Sequence, residues 1–333
     1  MIPIIPELRT VSAADRDRIL AAPRTDEAHR ALLASLPGMN AVRCGGTANA
    51  SQLPETFAVV AWNLERCLFP EDSAAHLAGI APQIVLLSEM DHGMARTKQR
   101  HTTADLAQAL GMTYAFGVEF FEMDLGGDTE RHFCEDDFNA RGWHGNAILS
   151  AVPFEKVTMI RLDDHGHWFT PDAGGDAGQP RVGGRNAIAG VVPTTIGPLC
   201  VVSTHLESNA DSPHRAKQFD VLMDTVDTFA PDMPVIIGGD LNTGNHMPPD
   251  FDWRGEVLFA RAEARGYDWS LTADGMTTRP SLITRHPTRR MKLDWICARG
   301  MKADAKGILP SLDATNRPLS DHDAVYAVVT RSG

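Results

Sequence analysis

The chain has 333 residues, 43% hydrophobic and 22% charged, enough to build a sizeable core without disulfide staples. Acids outnumber bases 43 to 31, for a net charge of -12, which disfavours a protein that holds nucleic acid through its phosphate backbone. The five cysteines, Cys44, Cys67, Cys134, Cys200 and Cys297, are scattered and form no CxxC pair; this excludes a disulfide framework and a cysteine zinc cluster and fits reduced thiols in the cytoplasm. The first residues, MIPIIPELRT, lack a secretory pattern, and no stretch approaches the ~20 apolar residues of a membrane span.

Residues 1–55 are expected to form a helical extension that packs on the main domain. Ser12 predicts the N-cap of a short helix to Leu20, Pro23 interrupts it, and Thr25 predicts the cap of a second helix to Leu36. Gly38 and then Gly45-Gly46 close that region. From Thr56 the pattern changes to short apolar runs bounded by polar and turn residues: 57–62, 84–87, 199–202 and 235–237. Runs of this kind predict buried strands. Helical segments are expected near 71–80, 102–110, 211–229 and 254–265, and strands mixed with helices imply a layered α/β fold. Residues 122–143 and 163–184 read as long polar loops, the Gly/Asp run at 172–184 included. Residues 56–333 are expected to form one domain.

The polar residues fall in a pattern. Asn63, Glu65, Glu89, His205, Asp240 and Asn242 each lie at or just past the end of an apolar run. Asp294 lies in KLDWI, and Asp321 and His322 lie in LSDHD before the strand-like run 324–329. Carboxylates at buried positions are costly unless paired or bound to a cation, so several converging on one sheet edge point to a metal. The donors are mostly hard oxygens, which favours Mg²⁺ or Mn²⁺. His322 can bond Asp294 and so be held protonated beside a phosphate oxygen. Asp240 and Asn242 can orient a water, with Asp240 accepting its proton.

Other positions have two readings each. Arg185 is a phosphate clamp or an ion-paired structural arginine. Asn146 contacts substrate or shapes a turn after Gly145. Trp168 can stack on a flat group, and its neighbours His165 and His167 suggest a second metal site that lacks a third ligand. Arg96, Lys98 and Arg100 line an anionic path or form a solvated charge run. Glu119, Glu122, Asp124 and Asp128 read as a solvated acidic loop.

The segments WNLE (62–65), SE (88–89), GNAILS (145–150), STHLES (203–208), GGDLNT (238–243), KLDWI (292–296) and LSDHD (319–323) together resemble the endonuclease/exonuclease/phosphatase superfamily. That group includes pancreatic-type deoxyribonucleases, apurinic/apyrimidinic endonucleases and neutral sphingomyelinases. The resemblance implies a four-layered α/β sandwich, two mixed β-sheets packed face to face with helices outside. It implies Glu89 as the principal metal carboxylate, supported by Asn63, Glu65 and Asp321. It implies His205 and Asn242 at the phosphate, Asp240 as the water-activating acid, and Asp294 with His322 as a dyad. Glu65 departs from the family pattern by a methylene, since many members carry Asp there.

The expected function is a divalent-metal-dependent phosphoric ester hydrolase acting on a small-molecule or lipid phosphodiester or monoester. The alternative is a metal-dependent nuclease acting on DNA or RNA. A non-catalytic module is disfavoured, because every metal and dyad residue stands in this sequence.

Overall fold

A computed structural model describes residues 2–171, 180–245, 252–286 and 290–332. Its strands form two mixed sheets. The larger, of nine strands, runs β1 (Ile4–Ile5), β2 (Val42–Gly46), β5 (Thr113–Glu122), β6 (Trp143–Ser150), β4 (Ile84–His92), β3 (Phe57–Arg66), β14 (Ala324–Arg331), β13 (Met301–Leu309), with β8 (Arg181–Gly183) also paired to β5. The smaller, of five, runs β12 (Asp294–Arg299), β11 (Val235–Asp240), β10 (Gly197–His205), β9 (Asn186–Thr194), β7 (Lys156–Arg161). The helices are α1 (Ala13–Ala21), α2 (Asp26–Ser35), α3 (Pro70–Leu77), α4 (Thr102–Leu110), the single turn α5 (Asp128–Arg131), α6 (Ser212–Phe229) and α7 (Leu258–Ala264). Among the described residues no helix is long and apolar enough to cross a membrane.

The strands read as continuous apolar runs because both faces of each sheet are covered. In β10 and β11, Val201 and Ile236 face the other sheet, while Cys200, Val202, Val235 and Ile237 face α6 and α7. Helices α3 and α4 cover the far side of the large sheet. The chain is thus an α/β sandwich of four layers. The two sheets approach closely where Gly238 lies: a Cβ there would stand 2.9 Å from Leu86 and 3.1 Å from Ala61 across the seam. At Gly239, with φ +150°, a Cβ would stand 1.9 Å from the Thr204 carbonyl oxygen, so the turn into Asp240 requires glycine.

Strand parity then decides where the polar residues point. Positions 236, 238 and 240 share one face of β11, so Asp240 points into the seam between the sheets. By the same alternation His205 follows Val201 and Ser203, Asp294 precedes Ile296, and Asn63 follows Val59 and Ala61. The parallel pairs β3/β4 and β10/β11 end on one side, and the antiparallel β12 and β14 begin there. The register places His205 beside Asp240 and Asp240 beside Asp294.

The two N-terminal helices begin where the caps predict: the Ser12 hydroxyl accepts from Asp15 N–H, and Thr25 from Ala28 N–H. The extension also contributes strands the sequence did not signal. Val42–Gly46 lies antiparallel on β5, and the two residues of β1 continue the sheet. Gly45 is extended backbone packed under Tyr114, whose hydroxyl would stand 2.7 Å from a Cβ there. At the opposite edge, β13 bulges between Ala303 and Ala305 and exposes Lys302, Asp304 and Lys306. Of the long loops, 122–143 contains α5 and 163–184 ends in β8; residues 172–179 of the Gly/Asp run lie outside the described residues.

A stacked pair of histidines, His92 buried and His101 half-buried, sets an acid limit. His92 and His101 stack at 4.1 Å with ring planes 11° apart, and neither ring nitrogen of His101 has a hydrogen-bond partner. Burial, with Arg43 adding to it, pushes His92 down to about 3, and burial with His92 beside it pushes His101 well below the usual range. The unfolded chain takes these protons near pH ~6.5, before the folded one does. Stability is therefore full above about pH 6.5 and falls with acid at about 1.4 kcal/mol per pH unit for each histidine, down to its folded pKa. The urea midpoint should drop between about pH 7 and about pH 5, and His101→Phe should flatten that slope. An equal slope in the variant would assign the acid limit elsewhere.

Candidate active site

The open end of the inter-sheet seam forms a cleft of about 740 Å³, lined among others by Glu89, His205, Asp240, Asn242, Asp321 and His322. Asp240 lies at its centre. Its Oδ2 accepts from the Asn63 amide at 3.0 Å and stands 3.5 Å from His205 Nε2 and 3.7 Å from His322 Nε2. Each imidazole has a carboxylate behind it. His322 Nδ1 is 2.8 Å from Asp294 Oδ2, and His205 Nδ1 is 3.2 Å from Glu119 Oε2. Two carboxylate–imidazole pairs therefore flank one acid.

Backbone detail aims these groups. The β4 ladder is irregular between Leu87 and Met90, and Glu89 there takes φ +59°, a left-handed conformation uncommon outside glycine. The β3 ladder breaks after Asn63, and Glu65, Arg66 and Cys67 all have positive φ. Bulges and strained residues of this kind re-aim side chains at functional sites. The His322 turn is tied to β3: Ser320 Oγ donates to the Asn63 carbonyl at 2.6 Å, and Trp62 Nε1 donates to the His322 carbonyl at 3.0 Å. The Asp240 Oδ1 accepts from the Asn242 N–H at 2.9 Å, which closes the turn holding both.

Charge in the cleft follows from these contacts. Burial works against a charged His322, yet Asp294, Asp321 and Asp240 outweigh it and hold the imidazole well above its ordinary range. Its proton is retained at neutral pH. Burial likewise opposes the Glu119 carboxylate, but His205 and Arg185 bring it down to about 2. Arg185, itself buried, is held charged by Glu207 and Glu119, at 3.1 and 2.9 Å.

Most of the expected residues meet. Asn63, Glu89, His205, Asp240, Asn242, Asp294, Asp321 and His322 gather at the cleft, with Arg185 and Trp168 on its wall. The Trp168 indole N–H donates to both Glu207 oxygens, at 3.0 and 3.1 Å. One N–H of the Asn242 amide is spent on the Leu206 carbonyl, leaving the other. Two residues stand apart. Asn146 is fully buried in the middle of β6 with its amide on Asn186, neither in a turn nor on the cleft wall. Glu65 turns away from Glu89; its Oε1 accepts from the Ser281 hydroxyl at 2.7 Å and the Thr284 N–H at 3.0 Å. Burial and nearby Asp321 raise its carboxyl to about 7.

Half of the acidic run is solvated as expected, with Asp128 exposed and Asp124 half-buried in the loop, but the two glutamates are not. Glu119 and Glu122 lie in β5 and are fully buried. Arg96 is neither on a substrate path nor solvated: it is fully buried, with Asp91 at 2.8 Å, Glu130 at 2.8 Å and Glu122 at 3.0 Å. Glu130 also binds Arg66 at 2.9 Å, and Arg66 reaches Glu89. A signal was available: 113–122 reads TYAFGVEFFE, and an acid embedded in so apolar a run has to be buried with a partner.

One ligand atom from each of Glu89, His205 and Asp240 lies within 4.8 Å of the others, and the same holds for Asp240, Asp294 and His322. In the first group two carboxylates outnumber the imidazole, which fits a hard divalent cation.

Comparison with known proteins identifies the family and the fold. A family model described as "Endonuclease/Exonuclease/phosphatase family" matches residues 60–322. An endonuclease/exonuclease/phosphatase from Beutenbergia cavernae DSM 12333 superimposes with a TM-score of 0.60 at 19% identity, covering 84% of this chain and 72% of that one. The catalytic domain of human Nocturnin, solved with a bound sulfate anion, gives 0.56 at 17% identity over 84% and 96%. TDP2 from D. rerio, complexed with a single-strand DNA product, gives 0.51 at 18% identity over 83% and 99%. No protein among the curated sequences compared matches the chain. At these identities the likeness to solved structures carries the fold, not the substrate.

Proposed function

The chain belongs to the endonuclease/exonuclease/phosphatase family, and from that premise we propose that it is a divalent-metal-dependent phosphoric ester hydrolase working by in-line water attack. One observation carries the proposal: Asp240 stands 3.5 and 3.7 Å from two imidazoles, each backed by its own carboxylate, at the mouth of one cleft. In this reading Asp240 accepts the proton of the attacking water, and the free N–H of Asn242 orients that water. The protonated His322, steadied by Asp294, donates to a phosphoryl oxygen as negative charge grows there. His205, held by Glu119, faces the same oxygens beside Arg185. Glu89, with Asp321, would hold Mg²⁺ or Mn²⁺, and Asn63 would orient Glu89 through its 3.0 Å contact. Such a cation supplies charge stabilisation at the phosphoryl and leaving oxygens. Residues 56–333 form the catalytic unit and residues 1–55 pack on its edge. The free thiols fit the reducing interior of a cell.

The favoured substrate is a small-molecule or lipid phosphodiester or monoester. The acidic net charge supports it. The second reading is a nuclease, favoured by the structural likeness to a protein that holds a single-strand DNA product. Bis-aryl phosphates, inositol phosphates, sphingomyelin-like lipids and nucleic acids should be compared with Mg²⁺, Mn²⁺ and EDTA. Turnover of at least one class with metal and none with EDTA is expected; inertness throughout would sink the proposal. A steep loss of affinity with salt would select the nuclease. Glu89→Gln should raise the Mn²⁺ concentration for half-maximal activity by at least about tenfold. An unchanged metal titration would remove Glu89 from the metal.

A further inference from the structure

The cleft makes no use of His165 and His167, and the fold brings two further donors to them. Asp163 precedes them in the same segment, and His214 comes from the first turn of α6. The three imidazoles stand 5.6, 5.7 and 6.1 Å apart, centre to centre. His165 Nε2 is 3.5 Å from His167 Nδ1. His165 Nδ1 is 3.8 Å from Asp163 Oδ1, and His214 Nε2 is 3.9 Å from Asp163 Oδ2.

Two of these donor atoms want a partner. The Asp163 side chain is only 9% exposed, and its Oδ1 has no hydrogen bond, while the other oxygen accepts from Gln218 at 2.5 Å. His214 Nε2 is also buried and without a hydrogen bond. Buried polar atoms left in this state are uncommon, and one cation would satisfy both. Asp163, His165 and His214 line a cavity of about 590 Å³, which gives an ion a way in. Three cationic side chains share that cavity. Arg30 is spent on Asp26 and Asp164, and Arg161 donates to the carbonyls of Met39, Val118, Glu119 and Gly184. Carbonyls do not neutralise Arg161, so it and Lys217 both oppose an incoming cation, and Asp163 offsets part of that charge.

We propose that Asp163, His165, His167 and His214 bind a zinc-class divalent ion at a site separate from the cleft. Three imidazoles and one carboxylate suit Zn²⁺ and its neighbours, and not Mg²⁺, which prefers oxygen donors. Donors roughly 2.0–2.1 Å from an ion stand about 3.4 Å apart in a tetrahedral shell. The present spacings are wider, so the rings turn inward on binding; His165 and His167 lie outside helices and strands, at the hydrogen-bonded turn 166–170. The ion would pin that segment to α6. Trp168 follows His167 directly and bonds Glu207, which holds Arg185, so the ion would also brace one wall of the cleft.

Zn²⁺ is titrated into the whole protein by calorimetry in millimolar Mg²⁺, which occupies hard-oxygen sites, and the imidazole nitrogens are followed by NMR. One Zn²⁺ equivalent is expected to shift His165, His167 and His214. The double variant His165→Gln/His214→Gln should bind it at least tenfold more weakly, whereas Glu89→Gln should retain it. Both replaced side chains are partly exposed, at 29% and 28%, and circular dichroism checks the fold. Should the double variant unfold, the same tenfold weakening in His165→Gln alone decides the matter. Equal Zn²⁺ affinity in wild type and variant, or loss of the ion with Glu89→Gln instead, would overturn the proposal.

Discussion

Replacing His322 with alanine is expected to lower kcat by a factor on the order of 10² or more, with KM little changed. The ring is held charged in the resting cleft by the three acids that face it, and in the proposed mechanism it donates where negative charge develops. Removing it therefore costs the transition state more than the bound substrate. The variant also strands Asp294, which is 1% exposed. Burial already pushes that carboxyl upward, so it can take a proton and limit the loss of stability. Turnover on a bis-aryl phosphate with Mn²⁺, measured where circular dichroism shows both proteins folded, tests this. A rate within a few-fold of wild type would take His322 out of the chemistry.

The second large effect concerns stability. Arg96→Met should cost about 3–5 kcal/mol in urea unfolding, or prevent folding. The guanidinium is fully buried and pairs with Asp91, Glu122 and Glu130 at once. Methionine fills the space but leaves three buried carboxylates, of which Asp91 keeps His144 at 2.8 Å, Glu122 keeps Arg181 at 3.1 Å and Glu130 keeps Arg66. Arg66 is then drawn to Glu130, which loosens its hold on Glu89. A cost below about 1 kcal/mol would show the network to be incidental.

Much of this was legible from residue order. Ser12 and Thr25 name their helices because a cap is a local contact. The runs 84–87, 199–202 and 235–237 name central strands because both faces of each sheet are covered. The polar residues ending those runs name the cleft, since strands that run together must end together. What was not legible depends on partners distant in sequence. Nothing near Glu119 says that it supports His205, or near Arg96 that three acids enclose it. The strand Val42–Gly46 was hidden for the same reason: its two glycines read as a terminator until Tyr114 is seen lying across Gly45. Glu65 shows the limit of motif reading, because its place in WNLE is right while its carboxylate serves the 281–284 segment.

The outer strands of the large sheet have a consequence for how the molecule behaves in a crowd. Open ribbons of backbone invite neighbouring molecules to add on, one after another. Here one flank tapers to the two residues of β1, too short to template anything, and the other is kinked and studded with lysine and aspartate. A chain shortened to start at residue 56 would lose the taper and bare the Thr113–Gly117 stretch of β5 to its neighbours, while β8 would still cover Phe120–Glu122, so the first 55 residues double as a guard against stacking into fibres.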